Sequence, residues 1–228
     1  MTHDISALVF DAYGTLFDVH SVTRRAEALF PGQGAALSRA WRGKQLEYSW
    51  LRTLMDRYEN FDRVTREALE WSLQSLGLPV DDDACAALIA EYRRLEPFPE
   101  VRDTLLRLAQ QRPLAILSNG HPAMLEALVD HNGMRPLFRG GILSVDAVKR
   151  FKPVPAVYRI AEEALGVPAA MMGFVSSNGW DAAGAKAFGF RAFWVNRGGA
   201  PVERLGAPPD AILRSLDELP AAITSRDP

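Results

Sequence analysis

Short apolar runs that end in polar residues constrain the fold of this chain more than any other feature of its sequence. The runs cover residues 7–10, 114–117, 171–175 and 191–195, with a weaker candidate at 141–143. Continuous apolar runs of this length are typical of strands that are buried on both faces, as in a parallel sheet covered by helices. The runs therefore predict the strands of one parallel sheet.

Helical spacing of apolar residues separates the later runs from one another. The predicted helices cover residues 122–132, 155–165 and 180–188. Alternating strands and helices predict an α/β fold with a doubly wound, mainly parallel, Rossmann-like sheet. Ligands bind at the carboxyl ends of the strands in such sheets. The polar residues expected to meet there are Asp11, Ser118, Asn119 and Ser176.

The interval between the first and second runs is too long for an ordinary crossover connection. No segment between Asp18 and Glu96 has the pattern of a strand, whereas apolar residues recur there at helical spacing. Examples are Leu46, Trp50, Leu54 and Tyr58. We therefore expect an all-helical cap subdomain over residues 17–96, inserted into an α/β core domain formed by residues 1–16 and 97–228.

Composition argues against several classes of partner. The chain of 228 residues has 26 basic and 28 acidic residues, so it has no charge excess for binding nucleic acid or an anionic membrane. It contains neither an apolar stretch of the roughly 20 residues that span a bilayer nor the basic start of a signal peptide. Cys85, the only cysteine, lies in an apolar helical run. We expect a cytoplasmic protein without nucleic acid or membrane as a partner.

The segment Asp11-Ala12-Tyr13-Gly14-Thr15 follows the first predicted strand directly. Taken alone, its aspartate could simply cap a strand-to-loop turn. Three further motifs follow later strands, namely Ser118-Asn119-Gly120, Lys152-Pro153 and the string Ser-Ser-Asn-Gly-Trp-Asp at residues 176–181. An aspartate, a serine, a lysine and an acidic residue in this order resemble the four motifs of the haloacid dehalogenase superfamily. The resemblance implies the fold of that superfamily.

Two positions distinguish this chain from the phosphatases of the superfamily. Those enzymes have a second aspartate two positions after the nucleophile, where this chain has Tyr13. Their magnesium site also needs carboxylates after the fourth strand, because a hard dication prefers several oxygen ligands. Here Asp181 is the first carboxylate, preceded by Ser176, Ser177 and Asn178. A magnesium-dependent small-molecule phosphatase is therefore the disfavoured alternative.

The same departures resemble the L-2-haloacid dehalogenase family. The resemblance extends to the cap segment at residues 41–48, Trp-Arg-Gly-Lys-Gln-Leu-Glu-Tyr, which is its most specific part, and to the segment from Lys152-Pro153 to Tyr158. It implies hydrolytic dehalogenation of short L-2-haloalkanoic acids to D-2-hydroxy acids through an ester on Asp11. It implies no metal and no other cofactor, and it leads us to expect a homodimer.

Roles for individual residues also come from the resemblance. Asp11 is the expected nucleophile, and Lys152 would keep it ionised beside an anionic substrate. Arg42, with Asn119, would bind the departing halide. Asp181 is the expected general base for ester hydrolysis. The residues expected to orient water and intermediate, or to complete the catalytic set, are Thr15, Ser118, Tyr158, Ser176 and Asn178.

The expected substrate contacts include Ser118, backbone N–H groups and an apolar wall. The wall would consist of Ala12, Tyr13, Leu46, Phe61 and Trp180. Leu46 and Phe61 could equally be ordinary core residues, Arg42 could form a surface ion pair, and Thr15, Tyr158 and Ser176 could serve turns or caps.

The sequence also allows further alternatives. Gly179 stands where the family suggests a small residue such as alanine, and the freer backbone could loosen the neighbouring base. A defluorinating variant of the dehalogenase and a non-catalytic binding protein on the same scaffold are further alternatives. The motifs do not identify the preferred halogen.

Overall fold

The computed structural model describes residues 4–224, and residues 1–3 and 225–228 of the expected core ranges lie outside that description. In the described part, six parallel strands form one sheet in the order β3-β2-β1-β4-β5-β6. Their bounds are Ala7–Phe10 (β1), Leu114–Ser118 (β2), Ile142–Ser144 (β3), Met172–Ser176 (β4), Arg191–Val195 (β5) and Ala211–Leu213 (β6). The predicted doubly wound parallel sheet is confirmed.

The centre of the sheet is β1, whose four residues are all buried. Phe10 at its end pairs with Ile116 of β2 on one side and with Val175 of β4 on the other. The strand order reverses between β1 and β4, and such a reversal opens a crevice at the carboxyl edge of the sheet. Asp11 is the first residue after β1 and therefore lies at this crevice.

Helices cover the sheet and also form the long insertion. Their bounds are Ser21–Leu29 (α1), Gly34–Leu54 (α2), Phe61–Ser75 (α3), Asp82–Glu91 (α4), Val101–Ala109 (α5), Pro122–His131 (α6), Pro155–Leu165 (α7), Gly179–Phe188 (α8) and Leu219–Thr224 (α9). Proline stands at the first position of both α6 and α7, where its fixed φ suits a helix start. None of the helices described between residues 4 and 224 has the length and apolar character needed to cross a bilayer.

The insertion between β1 and β2 contains helices α1 to α4, as the spacing of its apolar residues predicted. Two of these helices begin at side chains that cap the backbone: Asn60 accepts from the N–H of Arg63, and Asp81 accepts from the N–H of Ala84. Cys85 is buried within α4, as expected.

The chain passes into this insertion and back through two segments that lie side by side. The N–H of Asp18 donates to the carbonyl of Glu96 over 2.8 Å, and the N–H of Phe98 donates to the carbonyl of Leu16 over 3.1 Å. The two connections between the core and the insertion are therefore bonded to each other, next to the loop that follows β1.

Candidate active site

The Asp11 carboxylate is buried and accepts hydrogen bonds from three side chains. Lys152 Nζ lies 3.1 Å from Oδ1, while Thr15 Oγ1 and Asn178 Nδ2 lie 3.1 and 3.0 Å from Oδ2. These donors come from three separate strand-end segments. The two carboxylate oxygens are therefore unequal, because Oδ2 has two neutral donors and Oδ1 has one cationic donor.

Lys152 places its ammonium between two buried carboxylates. Its Nζ lies 3.1 Å from Asp11 and 2.9 Å from Asp181, and it also lies 4.8 Å from the centre of the Phe174 ring. Burial acts to lower the pKa of Lys152, but the charges of Asp11 and Asp181 outweigh it, so the pKa is raised. The site consequently holds a charged ammonium at its centre.

Asp181 lies in the first turn of α8 and is fully buried. Burial raises the pKa of this carboxyl, although the neighbouring Lys152 acts to lower it. The hydroxyl of Tyr158 donates to its Oδ1 over 2.8 Å, and the pKa of that phenol is raised by burial and by the charge of Asp181. Asp181 is thus a carboxylate whose proton affinity exceeds that of a free aspartate, with a neutral donor fixed beside it.

Gly184 permits the contact between Tyr158 and Asp181. A Cβ atom at position 184 would lie only 2.6 Å from the Tyr158 hydroxyl oxygen. Glycine in the middle of α8 is therefore explained by this close approach and not by helix propensity.

Two predicted serines have their hydroxyls in turns at strand ends. Ser118 Oγ accepts from the N–H of Gly120, and Ser176 Oγ accepts from the N–H of Asn178, each over 3.1 Å. Neither hydroxyl is hydrogen-bonded to Asp11 in the described part of the chain. Asn119 differs, since its Oδ1 accepts the backbone N–H of Lys152 over 3.0 Å. These contacts fix the shape of the loops that carry the site.

The insertion contributes Arg42 and Leu46, which lie one helical turn apart on the same face of α2. The Arg42 side chain is partly buried. Burial raises the pKa of Tyr13, and the positive charge of Arg42 acts to lower it. Across residues 4–224 it forms neither a hydrogen bond nor an ion pair. A surface ion pair, the ordinary explanation for this arginine, is thus not what the structure shows.

Tyr13 and Phe61 join the β1 loop to the start of α3. Both are buried, and their ring centroids are 5.8 Å apart. The Tyr13 hydroxyl is buried without a hydrogen-bond partner among the described residues. Ala12 is buried in the same loop, and its carbonyl accepts from the N–H groups of Leu16 and Phe17.

Trp180 also connects core and insertion. Its ring lies perpendicular to the ring of Trp50 on α2, with the centroids 5.3 Å apart. At the preceding Gly179, a Cβ would come within 2.9 Å of Cγ of Glu203. Glu203 is exposed, so its side chain could shift to make room for a Cβ at this position.

Two residues around the nucleophile were not predicted from the sequence. Ser177 donates its N–H to Thr15 Oγ1 over 2.8 Å, and Arg197 donates to the Thr15 carbonyl over 3.1 Å while pairing with Glu100 over 2.6 Å. Ser177 lies inside the predicted string at 176–181, and Arg197 follows β5 closely. Both residues lie just after a strand, so their position at the carboxyl edge of the sheet could have identified them as candidates.

The described residues provide few groups that could bind a metal ion. No cluster of three or more histidine, cysteine, aspartate or glutamate side chains suited to a metal occurs in residues 4–224. The Lys152 ammonium already lies between Asp11 and Asp181. A dication at this point would have to displace it.

Comparisons with known proteins agree with this geometry. The sequence model of the haloacid dehalogenase-like hydrolases matches residues 5–189. The (S)-2-haloacid dehalogenase of Pseudomonas sp. strain YL is 49% identical over 213 residues, which cover 93% of this chain and 91% of that protein.

Solved structures show the same likeness. A crystal structure of an L-2-haloacid dehalogenase superposes with a TM-score of 0.95 at 48% identity, covering 97% of this chain and all of that one. The L-2-haloacid dehalogenase from Xanthobacter autotrophicus with chloropropionic acid covalently bound superposes with a TM-score of 0.91 at 44% identity, covering 98% of this chain and all of that one.

Proposed function

This chain belongs to the haloacid dehalogenase-like hydrolase family, and on that premise we propose that it hydrolyses carbon–halogen bonds, converting short L-2-haloalkanoic acids into D-2-hydroxy acids. The observation that carries the proposal is the buried Asp11 carboxylate, fixed by Lys152, Thr15 and Asn178. Relatives at 49% and 47% identity are (S)-2-haloacid dehalogenases, which supports the substrate class.

In the first step an oxygen of Asp11 attacks C2 of the substrate, and the halide leaves with the bonding electron pair. Attack from the side opposite the halogen inverts the configuration at C2. We assign the attack to Oδ1, because Oδ2 then keeps the hydrogen bonds from Thr15 and Asn178 throughout the reaction. Lys152 offsets the repulsion between the carboxylate and the anionic substrate.

The departing halide needs a donor that is already in place. Arg42 suits this role, because its guanidinium has no partner within residues 4–224. We assign the halide to Arg42 together with the side-chain amide of Asn119, and the substrate carboxylate to Ser118 and nearby backbone N–H groups. The apolar wall is assigned to Ala12, Tyr13, Leu46, Phe61 and Trp180.

In the second step water attacks Cγ of the Asp11 ester. Asp181 takes a proton from the water, the Cγ–Oδ1 bond breaks, and Asp181 passes that proton to the departing alkoxide to give the hydroxy acid, while the regenerated Asp11 carboxyl group loses its proton to solvent. Thr15 and Asn178 donate to Oδ2, where negative charge develops in the tetrahedral intermediate. Ser176 supports Asn178 through its turn, and Tyr158 orients Asp181.

The proposed reaction needs no metal. In a phosphatase of this fold a dication would compensate the negative charge near the nucleophile. Here the Lys152 ammonium lies within 3.1 Å of both Asp11 and Asp181 and supplies that compensation.

We also propose a homodimer that assembles through the end of α2, and a cytoplasmic location. Leu51, Leu54 and Met55 share one face of that helix end and are 42%, 81% and 59% exposed. The location rests on composition alone.

Halide release from L- and D-2-chloropropionate in the presence of EDTA tests the reaction. We expect halide from the L isomer only, with D-lactate as the product, and no halide from Asp11→Asn. Magnesium-dependent hydrolysis of p-nitrophenyl phosphate, with no halide from either isomer, would replace the proposal by a phosphatase.

A further inference from the structure

The C-terminal end of α2 docks onto the core segment that leads to Lys152. Thr53 Oγ1 accepts the backbone N–H of Phe151 over 3.0 Å, and the Arg150 guanidinium donates to the Thr53 carbonyl over 3.1 Å. Arg150 also pairs with Asp56 over 2.5 Å. One side chain, Thr53, therefore fixes the residue immediately before Lys152.

Tyr58 makes a second connection between the same two segments. Its hydroxyl donates to Asp146 over 2.8 Å, and its ring centroid lies 5.1 Å from that of Phe151. Asp56 and Lys149, one on each segment, have φ values of 58° and 52°. Residues other than glycine rarely adopt this conformation, so both segments have unusual backbone next to the contact.

The backbone of the Lys152 segment is thus held from two directions. The N–H of Phe151 donates to the insertion through Thr53, and the N–H of Lys152 donates to the core through Asn119 Oδ1. Two consecutive peptide groups fix the position from which the lysine side chain extends. Moving α2 away from the core would remove one of these two supports.

We propose that Thr53, assisted by Tyr58, is a positioning residue that couples the docking of the helical insertion to the placement of the Lys152 ammonium between Asp11 and Asp181. The proposal rests on the proposed function, because it assigns a role within that reaction. Thr53 acts through the backbone of Phe151 and need not touch the substrate.

A displaced ammonium would change the proton affinity of its neighbours. The groups that face Lys152 Nζ are Asp11 after β1, Asp181 on α8 and the Phe174 ring on β4, with Tyr158 of α7 bound to Asp181. The pKa of Asp181 rises when the ammonium moves away, because Lys152 acts to lower it, so a larger fraction of Asp181 is protonated at a given pH. The acid limb of the pH–rate profile should therefore move to higher pH.

Thr53→Val tests this, since it keeps the branched shape and removes the hydroxyl. We expect kcat to fall about fivefold, the effect of losing one ordinary hydrogen bond, with little change in KM for L-2-chloropropionate. The acid limb of the kcat profile should move to higher pH. Thr53→Ser should restore both kcat and the position of the acid limb. Thr23→Val on α1 is the matched control, because the Thr23 side chain has no hydrogen bond in the described part of the chain.

Tyr58→Phe provides a second variant that keeps the ring and removes the hydroxyl bond to Asp146, and it should move the acid limb in the same direction. Thr53→Val and Tyr58→Phe that match wild type in kcat and pH profile would overturn the proposal. A lower kcat with an unmoved acid limb would also overturn it, because an ordinary packing defect has that result. Absence of halide release by the wild-type protein would instead overturn the proposed function.

Discussion

Lys152 is one cation between two carboxylates, and all three side chains are almost fully buried. Its side chain is 1% exposed and that of Asp181 is 0% exposed, so neither charge is compensated by solvent. The three charges sum to one negative charge before an anionic substrate arrives. The partner-free guanidinium of Arg42 offers the further positive charge that a bound haloacid would require.

The pH dependence of kcat tests the proposal that Asp181 is the general base. Burial raises the pKa of Asp181, and a base must be ionised to accept a proton, so kcat should fall as pH drops through a value above the usual range for aspartate, about 3.9. Tyr158 donates to this carboxylate and acts to lower its pKa. Tyr158→Phe should therefore move the acid limb to still higher pH.

Tyr48→Phe on α2 serves as the control and should leave that limb in place. A pH–rate series from pH 4 to 8 on the three proteins decides the matter. An acid limb that stays fixed in Tyr158→Phe would mean that Asp181 is not the base.

At the scale of single elements, helix propensity and tertiary packing favour different residues in the middle of α8. Alanine favours a helix interior over glycine by about 1 kcal/mol. Position 184 nevertheless holds glycine, because the Tyr158 hydroxyl and Pro153 both occupy the space that a Cβ would need. Packing against α7 and the Lys152 loop overrides helix propensity here.

Gly184→Ala should therefore both destabilise the fold and impair the reaction. Overpacking costs about 1–3 kcal/mol, and loss of the Tyr158 bond to a charged carboxylate lowers kcat roughly tenfold or more. Gly43→Ala is the matched control, since Gly43 is exposed in the interior of α2 with nothing within 4 Å of the added Cβ. It should raise the free energy of unfolding by about 0.5–1 kcal/mol. Urea titration measures the stability of both variants, and halide release measures their kcat.

The strands and most core helices could be predicted from the sequence because they depend on continuous burial and on local signals such as proline at a helix start. The strand β6 was missed, since it has three residues at the sheet edge and exposes Ile212. The contact of Thr53 with Phe151 was missed as well. It joins two residues that are 98 positions apart in the chain, and no local pattern reports such a pairing.

Within the site, the sequence identified which residues gather but not what each one touches. The resemblance to the L-2-haloacid dehalogenases implied that Lys152, Thr15 and Asn178 act together with Asp11, and all three are bonded to its carboxylate. The hydroxyls of Ser118 and Ser176 lie in turns, a distinction that depends on rotamers and that motif order does not reveal.

For the molecule as a whole, the end of α2 is its most exposed apolar feature on the insertion. Leu51, Leu54 and Met55 lie three and four residues apart and so present one face. Such a face is costly to leave in water and favours association with a second copy.

Leu54→Glu should convert a dimer into a monomer, because a carboxylate buried in an apolar contact costs on the order of several kcal/mol. Leu205→Glu is the control, since Leu205 is 60% exposed in a loop outside the insertion. Light scattering coupled to size exclusion would give the mass of two chains for wild type and for the control. A monomeric wild-type protein would remove the dimer proposal without affecting the reaction.

The adjacency of Leu16 with Phe98 and of Asp18 with Glu96 has an evolutionary consequence. The two connections to the insertion are bonded to each other much as the ends of a hairpin are, so the core meets a single short junction whatever lies beyond it. The entropy of closing a loop grows only slowly with its length, so lineages could lengthen, trim or replace everything past this junction while the sheet stayed intact. Substrate range could then diversify by exchange of the insertion, while the aspartate on the core sheet stayed in place.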